Sequence, residues 1–337
     1  VGERVTIRDV AARAGVSVAT VSRVLAGNYP TSTASRAKVL RAVKDLDYVA
    51  NAHARALAGT GRKTIAVLMF DLVSPFYAHV AQGVEMEAAQ HGRLTLVSST
   101  GSDPARELAL VHMMREQAAE AVVLVGGVIE DDEYRERMAR YAQALASAGS
   151  RLILCGRPAP APDVPALVVE YDNEAGAYAI TSHLLGAGHR RIALVGYQPG
   201  HTTGEARVTG YLRALADHGV PREEAILHGI GFGQHNGYEA IRDLLEKAEG
   251  RPEFTAVFAG DDGVAAATVT ALREYGLRVP QDISVVGYND DPVAADGRLG
   301  RGHLQRAGHQ GRVHAGRGRS VRGRRRDAGL PAEPRLF

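Results

Sequence analysis

Tryptophan is absent from this chain of 337 residues, and cysteine occurs once, as Cys155. A single thiol excludes an internal disulfide and a metal site built from cysteines. Aromatic residues make up only 5% of the chain, and no run approaches the roughly 18 apolar residues of a membrane span. The opening VGERVTIRDV has no apolar core of a secretory signal, so a cytoplasmic protein without a membrane partner is expected. Enzyme signatures are missing too. GIGFGQ (residues 229–234) does not complete a G-x-G-x-x-G pattern, and there is neither a Walker-type loop nor a G-x-S-x-G elbow. The 13 histidines are scattered, without H-E-x-x-H or comparable ligand spacing. No catalytic residue, metal site or cofactor is expected, and the chain reads as a non-enzyme.

What is present is an uneven distribution of charge. The net +2 conceals a basic head, with nine Lys/Arg against four Asp/Glu in residues 1–60. Residues 61–296 hold 20 basic and 32 acidic residues, and residues 297–337 hold eleven Arg against two acids. A basic head on an acidic body fits a head that meets phosphate and a body that does not.

Within the head, Thr6 and Asp9 have capping-box spacing ahead of Ile7, Val10, Ala11 and Ala14 on one face. Gly15 ends that short helix. Ser17 is a good N-cap for a second helix to about Leu25, with Val21 and Val24 inward. Gly27, Asn28 and Pro30 break it, and Ser32 or Thr33 starts a third helix with Val39, Leu40, Val43 and Leu46 inward. Two short helices around a GVS turn, with a third across them, form a helix-turn-helix arrangement. The second helix carries small residues and one Arg where a solvent-facing helix usually carries Glu and Lys. In a major groove, Val18 and Ala19 would meet thymine methyls. Arg23 would read guanine or hold a phosphate, and Ser17, Thr20 and Ser22 would bond phosphates. On spacing alone, an ordinary three-helix bundle with a bland surface is the other reading.

TIRDVAARAGVSVATVSRVLAGN, followed by AKVLRAVKDLDYVANAHARALAG, resembles the headpiece of the lactose-repressor (LacI/GalR) family over some 55 residues. The resemblance implies DNA binding through Thr6, Ser17, Val18, Ala19, Thr20, Ser22, Arg23 and Asn28, with Val18, Ala19 and Arg23 at base-reading positions. It also implies a hinge helix over Asn51 to Ala58 whose leucine, here Leu57, wedges into the minor groove. A helix this short is marginal alone in water, so it would order where two copies meet on DNA. Ala54 permits their close approach, and Leu57 would unstack a base step. On the residues alone, Leu57 also reads as a core leucine at a domain boundary.

The body alternates strand and helix. KTIAVLMF, LTLVSST, AVVLVG and RLILCG read as strands, with helices at 76–91, 105–117 and 131–148 between them. After APAPDVP the pattern restarts with ALVVEY, RIALVGY, AILHGI, FTAVFAG and ISVVGY, separated by helices at 174–186, 205–218, 235–246 and 263–275. Such alternation implies doubly wound parallel sheets. Two runs joined by a Pro/Ala linker predict two lobes with a cleft between them. The expected fold is therefore an all-α helix-turn-helix headpiece plus a two-lobed α/β effector domain. The expected boundaries are 1–49, a hinge and linker at 50–62, the effector and dimerisation domain at 63–296, and an atypical tail at 297–337.

DLVSPFY, CGRP, DNEAGAY, GHRRIALVG, FAGDD and DISVVGYND extend the resemblance to about residue 292. In that family this module is similar to periplasmic sugar-binding proteins. The resemblance implies an effector site at Phe76, Arg157, Arg207, Asp262 and Asp290: a ring to stack on a sugar face, and charged groups for paired hydroxyls. Phe76 also reads as core, Asp262 and Asp290 as helix N-caps, and Arg207 as a structural arginine bonding loop carbonyls. The implied function is a dimeric, nucleoid-associated transcriptional regulator, a repressor, that binds pseudo-palindromic double-stranded operator DNA under the control of a sugar-like effector. A DNA-binding regulator with a ligand-unresponsive, truncated effector domain and a pure sugar-binding carrier are the alternatives.

The tail breaks the pattern: residues 297–337 contain nine Gly and no Ile, Tyr or Met. No sustained strand or helix period is evident there. It reads as a basic arm adding DNA affinity, as an RNA-binding Arg/Gly segment, or as the product of a frameshift in a GC-rich gene.

Overall fold

The computed structural model describes residues 5–26, 30–48 and 64–291, together with the backbone of 311–315 and 319–321. The chain divides into two compact units, Val1–Lys63 and Thr64–Phe337.

The first unit contains α1 (Ile7–Ala14), α2 (Val18–Ala26) and α3 (Thr33–Asp45). At the start of α1 the Thr6 amide and hydroxyl both donate to Asp9 Oδ2, each at 2.7 Å. Gly15, at φ 66°, turns the chain out of α1, a conformation that costs glycine nothing. Ser17 Oγ accepts from the Thr20 amide at 3.2 Å and so caps α2, while Ser32 caps α3 through the Ser35 amide. Val10, Ala11, Ala14, Val21, Val24, Val39 and Ala42 form the core. Leu40, predicted to point inward, is 49% exposed. The i, i+3, i+4, i+7 stripe of α3 runs through Val39, Ala42, Val43 and Leu46, and Leu40 lies a full residue rotation away from it.

The second unit begins with a βα succession: β1 (Thr64–Met69), α4 (Pro75–Gln90), β2 (Leu94–Ser99), α5 (Pro104–Glu116), β3 (Ala121–Val125), α6 (Asp132–Ser147), β4 (Arg151–Cys155) and β5 (Ala166–Tyr171). These strands pair in parallel in the order β5-β4-β3-β1-β2. Alternate residues of β1 and β3 serve opposite faces. Ala66, Leu68, Val122 and Leu124 pack with Tyr134, Met138 and Leu145 of α6. Val67, Met69, Val123 and Val125 pack with Val80 and Val84 of α4. Burial on both faces explains why these strands are unbroken apolar runs rather than alternating ones.

The chain then builds a second sheet from α7 (Asn173–Gly186), β6 (Ile192–Val195), α8 (Thr202–Asp217), β7 (Ile226–His228), α9 (Gln234–Lys247), β8 (Ala256–Ala259), α10 (Asp262–Glu274) and β9 (Ser284–Val286). Its parallel order is β7-β6-β8-β9. Helices α7 and α8 cover one face and α9 and α10 the other.

Two sequence expectations change here. The APAPDVP segment does not separate the lobes, because β5 follows it and still pairs with β4 of the first sheet. The crossing to the second lobe comes after Tyr171, where Asp172 caps α7. The tail, read as lacking strand character, contains β10 (Gly311–Ala315) and β11 (Arg319–Val321), and β10 pairs antiparallel with β5. Backbone groups on the free side of β5 recruit such a strand through main-chain hydrogen bonds, which require no apolar alternation. Asn28, Ala54 and Leu57, with the predicted hinge and most of the tail, lie outside the described residues.

Candidate functional site

Helix α2 presents its outer side to solvent. Ser17, Val18, Ala19, Ser22 and Arg23 are exposed and Thr20 is half-buried, while Val21 and Val24 face the core. Val18 is 42% exposed, and no acidic residue occurs in α2. The Ser17 and Thr20 hydroxyls lie 2.9 Å apart, which fixes the start of the helix. Thr6 is exposed at the start of α1. A helix with small exposed groups, no carboxylate and one guanidinium can approach a polyanion without a desolvated acid opposing it.

In the second unit, residues at or just beyond the ends of β4 and β5, and at the start of α8 after β6, meet around one cavity. Phe76 follows Pro75 in the first turn of α4 and is half-buried. Its ring lies edge-on to Tyr77 at 5.2 Å and to Tyr171 at 5.8 Å. Burial and the nearby Asp71 charge push the Tyr77 hydroxyl up to about 12.

Arg157, just beyond β4, is almost fully buried and already committed. Its Nε donates to the Gly126 carbonyl at 3.1 Å and its Nη1 to Glu107 Oε2 at 2.7 Å. Arg207 in α8 is equally buried. It donates to Asn173 Oδ1 at 3.0 Å and to the Gly260 carbonyl, and its guanidinium lies 3.7 Å from the centre of the Tyr288 ring. Its carbonyl bond matches the structural role read as an alternative in the sequence, and burial lowers its pKa.

Asp262 is the first residue of α10, and the helix cap is its neighbour Asp261, which accepts from the Val264 amide at 2.6 Å. Asp262 is buried and accepts from the Asp291 amide at 2.6 Å. Burial, with the charges of Asp291, Asp261 and Asp290, pushes its carboxyl up to about 7. Asp290 is exposed in the loop after β9 with φ 60°.

Sequence reasoning had not singled out Glu107, Asn173, Tyr171 or Tyr288 as the partners of these groups. Asn173 stood in the quoted DNEAGAY segment, but its contact with Arg207 joins positions 34 residues apart, which spacing does not reveal. A cavity of about 370 Å³ opens where the lobes meet, lined by Arg157, Tyr171, Asn173, Thr202 and Thr203 among others. One phenol ring, two threonine hydroxyls, an arginine and the carboxylates of Glu130, Glu170, Asp172 and Glu174 around a space of this size suit a small polar ligand. Among the described residues, no group of His, Cys, Asp and Glu has metal-site geometry, and no helix is long and apolar enough to cross a membrane.

Residues 6–51 match the family described as bacterial regulatory proteins, lacI family, and residues 181–299 match a periplasmic binding protein-like domain. The chain is 34% identical over 296 residues to the HTH-type transcriptional regulator CelR of Thermobifida fusca, covering 86% of this chain and 84% of that one. It is 32% identical over 292 residues to the HTH-type transcriptional regulator DegA of Bacillus subtilis (strain 168), covering 86% and 83%. Among solved structures, the Lac repressor dimer bound to operator and the anti-inducer ONPF superposes with a TM-score of 0.71 at 26% identity, covering 87% and 85%. A CelR–cellobiose complex superposes at 0.60 with 32% identity, again covering 87% and 85%.

Proposed function

Because the chain belongs to the lacI family of bacterial regulatory proteins, we propose that it is a dimeric transcriptional repressor whose grip on operator DNA is set by a sugar-like effector between its two lobes. The observation that carries the DNA-binding half is the exposed side of α2, where Val18, Ala19 and Arg23 stand clear of the core. In this reading Val18 and Ala19 contact thymine methyls, Arg23 takes a guanine edge, and Ser17, Thr20, Ser22 and Thr6 fix the helix on phosphates. Asn28 joins them, and Ala54 and Leu57 act at the hinge. The domain limits proposed are headpiece 1–49, hinge 50–62, effector domain 63–296 and tail 297–337, with Gly311–Ala315 of the tail adding a strand to the first sheet.

For the effector, Phe76 supplies a ring face and Arg157, Arg207, Asp262 and Asp290 supply polar groups around the cleft. Support comes from the interlobe cavity, which Arg157 lines while Phe76, Arg207, Asp262 and Asp290 do not, and from a relative whose solved structure is a cellobiose complex. For the dimer, support comes from an apolar surface on the first lobe. β2 ends the first sheet and exposes Leu94, Leu96 and Val97, Leu94 at 71%, with Met86, Leu108 and Met113 exposed on the flanking α4 and α5. An apolar sheet edge of this kind is normally covered by a partner.

Selection of duplexes from a random pool, followed by anisotropy titration with and without a sugar panel, tests the reading. A pseudo-palindromic site should emerge, and Arg23→Ala should weaken it by about 1–3 kcal/mol. One sugar should change operator affinity, and operator should change affinity for that sugar by the same factor. Recovery of no preferred duplex would overturn the DNA-binding reading. A preferred duplex indifferent to every sugar and sugar derivative would leave the ligand-unresponsive alternative.

A further inference from the structure

The two lobes touch at a place that none of the predicted site residues occupies. The loop after β3, Gly127–Ile129, belongs to the first lobe, and His201–Thr203, at the start of α8, belongs to the second. The Thr202 amide donates to the Val128 carbonyl at 2.8 Å. The Val128 amide donates back to Thr202 Oγ1 at 3.1 Å, and Ile129 and His201 form an antiparallel bridge. Glycine is required on the first-lobe side. A Cβ on Gly127 would lie 2.5 Å from His201 Cε1 and 2.9 Å from Thr202 Oγ1. Thr202 and Thr203 also line the interlobe cavity, so this contact forms part of its wall.

The His201 ring is packed into the junction. It hydrogen-bonds the Gly127 backbone and lies edge-on to Phe232 at 5.9 Å. Its Nδ1 is buried with no hydrogen-bond partner among the described residues. The charges that act on it are Arg157, from the loop after β4, and Arg207, from α8. Both are cationic. Phe232 brings no charge, and the loop after β3 offers backbone, its Glu130 being held by Arg135 at 3.0 Å.

We infer that Gly127–Ile129 and His201–Thr203 form a latch between the lobes, and that the latch opens when His201 takes a proton. Protonation places an N–H on Nδ1 where no acceptor waits, and a positive charge beside two arginines. A buried, unpaired cation is costly, and water reaches the ring only when the junction parts. Burial and the two arginines hold the ring below the ordinary histidine value. The closed junction therefore binds fewer protons than the open one. Closure is fully favoured above the ordinary value of about 6.5 and weakens as pH falls through and below it, by at most about tenfold per pH unit.

The two latch amides report the state directly. Hydrogen exchange at Val128 and Thr202 is followed on the full chain, without DNA or sugar, and corrected for the intrinsic pH dependence of exchange. Between pH 7.5 and 5.5 both amides should lose protection, by up to about tenfold. His201→Gln should keep its protection constant across that range. Gly127→Ala should lose protection at both pH values while the amides of β3 and β6 stay protected, and Thr202→Val should release Val128 alone. Equal wild-type protection at the two pH values, or an undiminished drop in His201→Gln, overturns the inference. Since neither DNA nor effector is in the sample, that failure would leave the regulator reading intact.

Discussion

Arg157 keeps a charge where water scarcely reaches because Glu107 lies 2.7 Å away and the Gly126 carbonyl takes the Nε proton. Removing the acid alone strands the cation. Glu107→Ala should therefore cost about 3–5 kcal/mol, read as a lower urea midpoint with an unchanged m-value. Asp262 gives a pH prediction with a definite sign. Its carboxyl is raised to about 7 from an ordinary value near 3.9, so between these limits the folded state holds a proton that the unfolded state has released. Its contribution to stability is full below the lower limit, declines as pH rises toward 7, and is constant beyond. Asp262→Asn retains an oxygen for the Asp291 amide and cannot ionise. It should raise the Tm at pH 8, with the advantage shrinking toward pH 4 in a series of thermal melts.

Among the elements, α7 and α8 pack closely because Gly210 lets them. A Cβ there would lie 2.9 Å from the Tyr178 amide nitrogen and 3.0 Å from Ala177 Cβ. Gly210→Ala should destabilise the protein by about 1–3 kcal/mol through overpacking, despite alanine's better helix propensity. A melt showing a gain would contradict the packing described. At α2, Ser17→Ala removes the cap on the Thr20 amide and should cost about 1 kcal/mol, seen as faster exchange of Thr20 and Val21. Element starts show where sequence signals stop. The sequence suggests Asp262 as the cap of a helix from residue 263, but α10 starts one residue earlier and Asp261 caps it. α8 was expected from Glu205 but starts at Thr202, because His201 and Thr202 are held by the loop after β3, a partner some 70 residues distant.

For the whole molecule, the apolar sheet edge at β2 and the charge split between head and body carry the consequences. Val97→Lys places a charge on that edge. Sedimentation should show a shift toward monomer, and operator affinity should fall with it, since two heads are needed for a two-part site. Affinity should also drop steeply with salt, log K falling with log salt by about 0.9 per phosphate contacted. A salt-independent operator complex would remove the basic head from the mechanism.

From residues alone came the capped helices of the first unit, the succession of strands and helices in the second, and the resemblance that carried the family. Local chemistry suffices for these: caps, glycine stops and apolar periodicity act over a few residues. Only the tertiary structure assigned β5 to the first lobe, paired Arg157 with Glu107 and Arg207 with Asn173, turned Leu40 outward, and joined the lobes at Val128 and Thr202. Each of those depends on which distant segments meet, and contacts between residues tens of positions apart leave no period in the chain.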